Sequence, residues 1–407
     1  MNTKNLNLIT NFQQRYFLKK NLNKKKSLVE SLNKDILKSL KNENNSLHIL
    51  NDKIELNFKI NELRKFKKYQ NIVLIGMGGS ILGAEAIYQY LNEKIKKKVY
   101  FFDNIDEKKI FKFRKEVKLK KTLFLVISKS GNTIETISNL LSLNILKRNE
   151  KNIIIITEKK NNVLYNLSKE FDLFYIQHRN SLGGRYSVLS EVGMVPAYLM
   201  GLNINLFRKN TQKYLEKKKF KKILNKNTVL LSDFLLKKKY TNIIFLNYAP
   251  SLEKFLFWSQ QLIAESLGKK GMGFLPIISS VPKDHHSLLQ LYLDGPKDKI
   301  FYIFSLKNYK TSANINAKKI SSDLKFLHKK SLEKIKNSQK DALIQSLKIN
   351  KIPFREFKVF NTNESTLGEL FSYFILETVM IAKLTGINPF DQPAVEQVKK
   401  FTRKILN

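Results

Sequence analysis

The stretch TLFLVISKSGNTIETISN, residues 122–139, decides the fold class. Its opening run is apolar at every position from Leu123 to Ile127, without the polar alternation of a half-solvated strand. Such a run reads as a strand buried on both faces. It ends in Ser128-Lys129-Ser130-Gly131-Asn132-Thr133, and a helix is expected to begin there. The same unit recurs on either side: NIVLIG (71–76), VYFFD (99–103), NIIIIT (152–157) and DLFYI (172–176) are short apolar runs separated by amphipathic stretches. Strands alternating with helices predict an α/β fold whose mainly parallel sheet is covered on both faces. A second run follows, with strands expected at NIIFLNY (242–248), FLPIIS (274–279), KIFYIFSL (299–306) and FREFKVF (354–360). Helices are expected near 252–267, 284–293, 340–349 and 365–385. The two halves suggest a duplicated architecture, although no residue-level repeat joins them.

A chain of 407 residues with 43% apolar content exceeds one ordinary core, so two domains are the expectation. The boundaries read as an N-terminal helical extension over 1–68, a first α/β domain over 69–202 and a helical connection over 203–228. A second α/β domain then spans 229–387, and a C-terminal segment and helix span 388–407. Within the extension, ESLNKDILKSLK (30–41) shows apolar residues at helical spacing. The Lys-, Ser- and Asn-rich stretch 307–340 reads as a loop plus a surface helix.

Composition excludes several classes of function. There is no cysteine, which removes disulfides, Cys-ligated zinc and a cysteine nucleophile. The N-terminus lacks a signal-like apolar run, and no 18-residue apolar stretch occurs. A soluble cytoplasmic protein without a membrane partner is therefore expected. The formal net charge of +40 would ordinarily point to nucleic acid. Only nine of the 74 basic residues are Arg, however, and runs such as NKKK, EKKKFKK and LKKKY recur in every stretch outside the motifs. That is a composition bias spread over solvated surface, whereas a groove that follows a phosphate backbone concentrates its charge and recruits Arg. Nucleic acid is not an expected partner.

Six stretches carry the chemistry. IGMGGSILGAEAI (75–87) brings a strand into a glycine turn before a helix, where Gly79 and Ser80 can approach a polyhydroxyl or anionic ligand. A plain tight turn would use the same glycines. A dinucleotide site is a poor match, because the spacing is not G-x-G-x-x-G and only Asp103 and Asp106 follow at a suitable distance. In ISKSGNTIETISN (127–139), Ser128, Lys129, Ser130 and Thr133 crowd one strand-to-helix junction; a helix cap needs one hydroxyl, so the cluster suggests a phosphate. SLGGRYSVLSEVG (181–193) sets Arg185 after two glycines, either as a buried structural cation or as a clamp on a developing oxyanion. In WSQQLIAESLGKKG (258–271), Gln261 and Glu265 share a helix face, and a carboxylate in an apolar run is a candidate general base. KDHHSLLQLYLDGP (283–296) offers His285 and His286; adjacent histidines do not face one way on a helix and no carboxylate array surrounds them, so acid/base work is a sharper reading than a metal. NPFDQPAVEQVKKF (388–401) places Gln392 between two prolines and Lys399 on the following helix, although one Lys in so lysine-rich a chain says little alone.

Together, in this order and at these separations, the six stretches resemble the phosphoglucose isomerase family over residues 71–401. The resemblance implies two SIS-type (sugar isomerase) three-layer α/β/α domains, a homodimer with shared active sites, and neither a metal nor an organic cofactor. It implies a sugar phosphate as substrate and reversible isomerisation of glucose 6-phosphate and fructose 6-phosphate through an enediolate. Glu265 would move the proton between C1 and C2, with Arg185 stabilising the intermediate. His286 would open the sugar ring with help from Lys399. Ser128, Lys129, Ser130 and Thr133 would hold the phosphate, and Gly79, Ser80, Gln261 and Gln392 would line the sugar. Two alternatives remain at this stage: another phosphosugar isomerase, such as one that also accepts mannose 6-phosphate, and a non-catalytic SIS-domain sensor. A sensor needs the phosphate loop but not the base.

Overall fold

The computed structural model describes residues 5–12, 19–307, 314–317 and 321–406. The strands are β1 (Leu6–Asn11), β2 (Asn71–Ile75), β3 (Lys98–Phe102), β4 (Thr122–Ile127), β5 (Ile153–Thr157), β6 (Phe174–Gln177), β7 (Asn242–Asn247), β8 (Leu275–Ser280), β9 (Lys299–Leu306) and β10 (Phe354–Val359). They make two five-stranded sheets, ordered β3-β2-β4-β5-β6 and β1-β10-β9-β7-β8. Among the described residues every strand pairing in the two sheets is parallel except that of β1 with β10. The nine apolar runs read from the sequence coincide with β2 to β10, and helices cover both faces as in the expected α/β fold.

Side-chain alternation explains the layering. On one face of the first sheet Val73, Ile75, Phe124, Val126, Ile153 and Ile155 pack on Ile110, Phe113, Leu140 and Leu164 from the covering helices. The intervening residues Ile72, Leu74, Leu123, Leu125, Ile154 and Ile156 point the other way. They join a core that also takes Phe245, Tyr302, Phe304 and Phe357 from the second sheet. The outer face of the second sheet buries Ile244, Leu246, Phe301 and Ile303 against Leu343 and Leu347 of the Leu332–Ile349 helix. A strand hydrophobic on both faces is stable only in this covered setting.

The N-terminal segment departs from the helical reading of 1–68. Residues 6–11 form β1, antiparallel to β10 with Leu6 opposite Val359. Leu6 and Leu8 are buried while Asn7 and Ile9 are not, which is strand periodicity over too few residues to stand out beside the Lys-rich helix that follows. The open edge of β10 supplies the hydrogen bonds that local propensity did not announce. The expected helix at 30–41 is part of a longer one, Lys19–Lys41, whose Asn33 donates to Asn225 at 3.0 Å. Asn225 belongs to the Lys218–Lys237 helix, which runs through position 228 without a break. Parts of the expected loop over 307–340, residues 308–313 and 318–320, lie outside the described residues.

In the first sheet the chain passes from β2 outward to β3, then returns across β2 to β4 and continues to β5 and β6. The connections leaving β2 and β4 therefore diverge, opening a crevice at their carboxyl ends. Ligands of open parallel sheets bind at such a switch point. Both the glycine turn after β2 and the hydroxyl-rich loop after β4 stand there.

Candidate active site

The glycine turn is docked on the arginine loop by contact too close for any side chain. A Cβ on Gly79 would lie 2.2 Å from the carbonyl carbon of Gly184, so the approach requires glycine. Ser187 closes the junction, donating to the Gly79 carbonyl at 3.3 Å. Ser80, the next residue of the turn, is buried.

Docking places Arg185 in the interior, where only 2% of it is exposed. A guanidinium at such depth must have its donors satisfied. Nε donates to Ser266 Oγ at 2.8 Å, and Nη1 donates to Glu265 Oε2 at 3.1 Å and Gln392 Oε1 at 3.0 Å. Nη2 donates to the carbonyls of Pro389 and Asp391. Tyr186 completes the frame, its hydroxyl sharing a 2.8 Å bond with Ser266 and donating to Pro389 at 2.9 Å. Burial pushes the Tyr186 phenol upward, so it stays a neutral donor. Spacing in the sequence did not single out Tyr186 or Ser266, although both lie inside the quoted motifs.

Glu265 sits near the end of the Glu253–Leu267 helix. Gln261, one turn earlier, donates to its Oε1 at 2.8 Å, as the shared helix face predicted. The carboxylate is thus held from both sides, by an amide on one oxygen and a guanidinium on the other. Its side chain keeps 30% exposure and lines a cavity of about 820 Å³, together with Lys269, Asn388, Asp391 and Gln392. Gln261 Oε1 is buried without a hydrogen-bond partner among the described residues.

The loop after β4 is preorganised as well. Ser128 is buried, its Oγ shares a 2.9 Å bond with Thr133 Oγ1 and accepts from the Gly131 N–H at 3.2 Å. Ser130 Oγ, on the exposed side, accepts from the Asn132 N–H at 3.3 Å. Thr133 is the N-cap of the Ile134–Ser142 helix but makes no side-chain capping bond, which leaves the first helical N–H groups open to an anion. Lys129 is half-buried; burial holds its ammonium below the ordinary lysine value, with Glu158 opposing and Lys160 and Arg185 adding to the depression.

His286 and Lys399 are not brought to this centre. His286 follows β8 and is exposed, and its side chain makes no hydrogen bond or ion pair among the described residues; its neighbour His285 is the half-buried one, bonded to the Tyr248 hydroxyl at 2.8 Å. Lys399 lies on the Glu396–Leu406 helix, no residue of which is buried, and pairs with Glu396 at 2.7 Å. Geometry accounts for the first separation. The Glu253–Leu267 helix starts near the carboxyl end of β7 and runs back along the sheet, where Gln260 donates to Pro276 at the start of β8. From Glu253 to Glu265 the rise is about 18 Å at 1.5 Å per residue. Glu265 and His286 consequently occupy opposite ends of the second sheet.

A carboxylate fixed by an amide and a guanidinium and facing a cavity can take up and return a proton, with a cation beside it for a developing negative charge. Known proteins agree with that chemistry. The family model described as phosphoglucose isomerase matches residues 13–274. A glucose-6-phosphate isomerase of Methanocaldococcus jannaschii is 34% identical over 355 residues, 85% of this chain and 87% of the relative. One of Campylobacter jejuni is 31% identical over 380 residues, 88% and 91% of the two chains. Among solved structures, a glucose-6-phosphate isomerase from Chlamydia trachomatis superposes with a TM-score of 0.79 at 17% identity, covering 100% of this chain and 89% of that one, a likeness of fold. The chain belongs to the phosphoglucose isomerase family.

Proposed function

We propose that this chain interconverts glucose 6-phosphate and fructose 6-phosphate, and that the residues gathered around Arg185 and Glu265 carry the chemistry. In the open-chain aldose, Glu265 takes the proton from C2 while the electron pair of that bond forms the C1–C2 double bond and negative charge collects on O1. Returning the proton to C1, with the O2 proton moving to O1, leaves the ketose. No electrons are gained or lost overall, so the reaction needs a base and an oxyanion stabiliser and no redox partner. Arg185 is the cation beside Glu265, already desolvated and fixed, so it need not reorganise as charge develops. Gln261 and Gln392 hold sugar hydroxyls along with Gly79 and Ser80, and Ser128, Lys129, Ser130 and Thr133 hold the phosphate. The observation that carries this reading is the Arg185–Glu265–Gln261 constellation in a chain of this family.

Ring opening falls to His286 with Lys399. Because Glu265 and His286 stand at opposite ends of one sheet, a site that uses both takes His286 from a second copy of the chain, and a homodimer with two shared sites follows. The reading divides the chain at 69–202, which holds β2 to β6, and 229–387, which holds β7 to β10 with β1 from 1–68 added at the sheet edge, and treats it as a cytoplasmic enzyme; among the described residues no helix is long and apolar enough to cross a membrane. Purified protein given fructose 6-phosphate should produce glucose 6-phosphate in a coupled assay, with no metal or cofactor supplied beyond what the coupling enzyme uses. Absence of turnover in folded protein would refute the proposal.

A further inference from the structure

The segment that follows β5 bears directly on the phosphate loop. Thr157 Oγ1 and the Glu158 N–H both donate to the Lys129 carbonyl, at 3.3 and 3.2 Å. The Leu164 N–H donates to the Gly131 carbonyl at 3.1 Å, and the Val163 N–H to Asn132 Oδ1 at 3.0 Å. Asn162 fills the space over Gly131, where a Cβ would come within 1.7 Å of its Oδ1. Two loops from neighbouring strands are locked into one body. Within it the Glu158 carboxylate, 6% exposed, stands between two ammonium groups: Lys160 at 2.9 Å and Lys129 at 3.7 Å. The isomerisation chemistry assigns nothing to Glu158 or Lys160.

We propose that Lys160 is a second cation of the phosphate site, and that Glu158 is a positioning residue that holds Lys129 and Lys160 together while its charge limits how tightly the site retains a phosphate. The proposal rests on reading 128–133 as the phosphate loop. Three charges make the argument. With Glu158 ionised, the cluster carries one net positive charge in place of two, so the two ammonium groups stay side by side in the empty site. An arriving phosphate dianion meets both lysines but also the buried carboxylate behind them. Substrate and product carry the same phosphate, so extra affinity for it would stabilise both alike without speeding the chemical step, and would slow release. Glu158 tempers that affinity. Lys160, with 59% of its side chain exposed, has the freedom to turn from the carboxylate to a ligand.

The test uses inorganic phosphate as probe on the intact protein, by calorimetry and as a competitive inhibitor. Glu158→Gln leaves the main-chain bond to Lys129 and the carbonyl that accepts from Asn162 at 3.0 Å in place, so the loop body persists. It should bind phosphate at least ~3-fold more tightly near neutral pH, with KM for fructose 6-phosphate falling and kcat not rising, as expected for charges a few ångströms apart near the surface. Lys160→Met should weaken phosphate at least ~3-fold. The pH profile separates this from a structural role. The groups facing the Lys129 ammonium are Glu158 and Lys160 from the 157–162 loop, Arg185, and buried His178 at the end of β6, whose imidazole burial pulls down to about 4 and which is therefore neutral at these pH values. Removing Glu158 takes away the group that raises the Lys129 pKa, so the alkaline loss of phosphate binding should move to lower pH. Removing Lys160 takes away a like charge, and that loss should move to higher pH. Unchanged or weakened phosphate binding by Glu158→Gln, or unchanged binding by Lys160→Met, would overturn the proposal. If Ser130→Ala with Thr133→Ala also leaves phosphate binding untouched, the phosphate loop itself has been misread; if that pair weakens it, only the roles of Glu158 and Lys160 fall.

Discussion

At the scale of residues, Glu265→Gln is the cleanest probe of the base. The amide keeps an oxygen for Arg185 Nη1 and its own N–H₂ for a neighbour, so the frame around Arg185 should survive. Turnover is predicted to fall at least ~10²-fold, the scale of general-base loss, with thermal unfolding unchanged; near-normal kcat would remove Glu265 from the mechanism. Ser130→Ala with Thr133→Ala removes two hydroxyls of the phosphate loop, each contributing on the order of 1.5–3 kcal/mol to a charged oxygen. Inorganic phosphate should bind at least ~10-fold more weakly while free glucose is unaffected. Arg185, Glu265, Gln261 and Gln392, which hydrogen bonds join into one cluster, could each be singled out because each sits in a long motif, although spacing alone left Arg185 open between a structural cation and an oxyanion clamp. Tyr186 and Ser266 were not, because their pairing with Arg185 exists only where the arginine loop, the glutamate helix and the 388–392 turn meet. Glu158 and Lys160 left no trace either, since an EKK triplet in a chain with 74 basic residues reads as surface.

Elements were legible in proportion to how much of their stability is local pattern. Strands such as β4 and β5 are continuous apolar runs, at residues 123–127 and 153–156, which both predicts them and requires covering helices. The strand β1 is different: its residues LNLITN carry three polar side chains in six positions, and what makes it a strand is the free edge of β10, more than 340 residues away in sequence. Its inward Leu6, 1% exposed, anchors that pairing. Leu6→Ala should lower stability by roughly 2–5 kcal/mol, the usual cost of truncating a buried leucine. Chemical denaturation monitored by circular dichroism gives the number. A loss below about 0.5 kcal/mol, the scale of surface substitutions, would mean that β1 contributes little to the second sheet.

For the whole molecule, the charge of +40 is carried outward: Lys217, Lys218, Lys219 and Lys222 of the EKKKFKK run are exposed, as are Lys237, Lys238 and Lys239. Of the charged groups that lie inside, Arg185 pairs with Glu265 and Arg355 with Glu377, whereas the Arg208 guanidinium donates to the main-chain carbonyls of Leu189 and Ile49. The larger consequence is geometric. One chain puts Glu265 and His286 at opposite ends of a sheet, and the proposed chemistry uses both at one sugar, so the proposal has a second chain complete each site. Pattern reading could name both residues but not their separation, which depends on the direction in which the Glu253–Leu267 helix runs along β7 and β8. Subunit mixing tests this arrangement together with both assignments. In a hybrid of one Glu265→Gln chain and one His286→Ala chain, shared sites collect both lesions in one site and leave the other intact. The predicted activity on fructose 6-phosphate is near half that of the unmodified dimer and well above the residual of either mutant alone. Activity no higher than the mean of the two mutants, in a sample shown to contain hybrids, would contradict it.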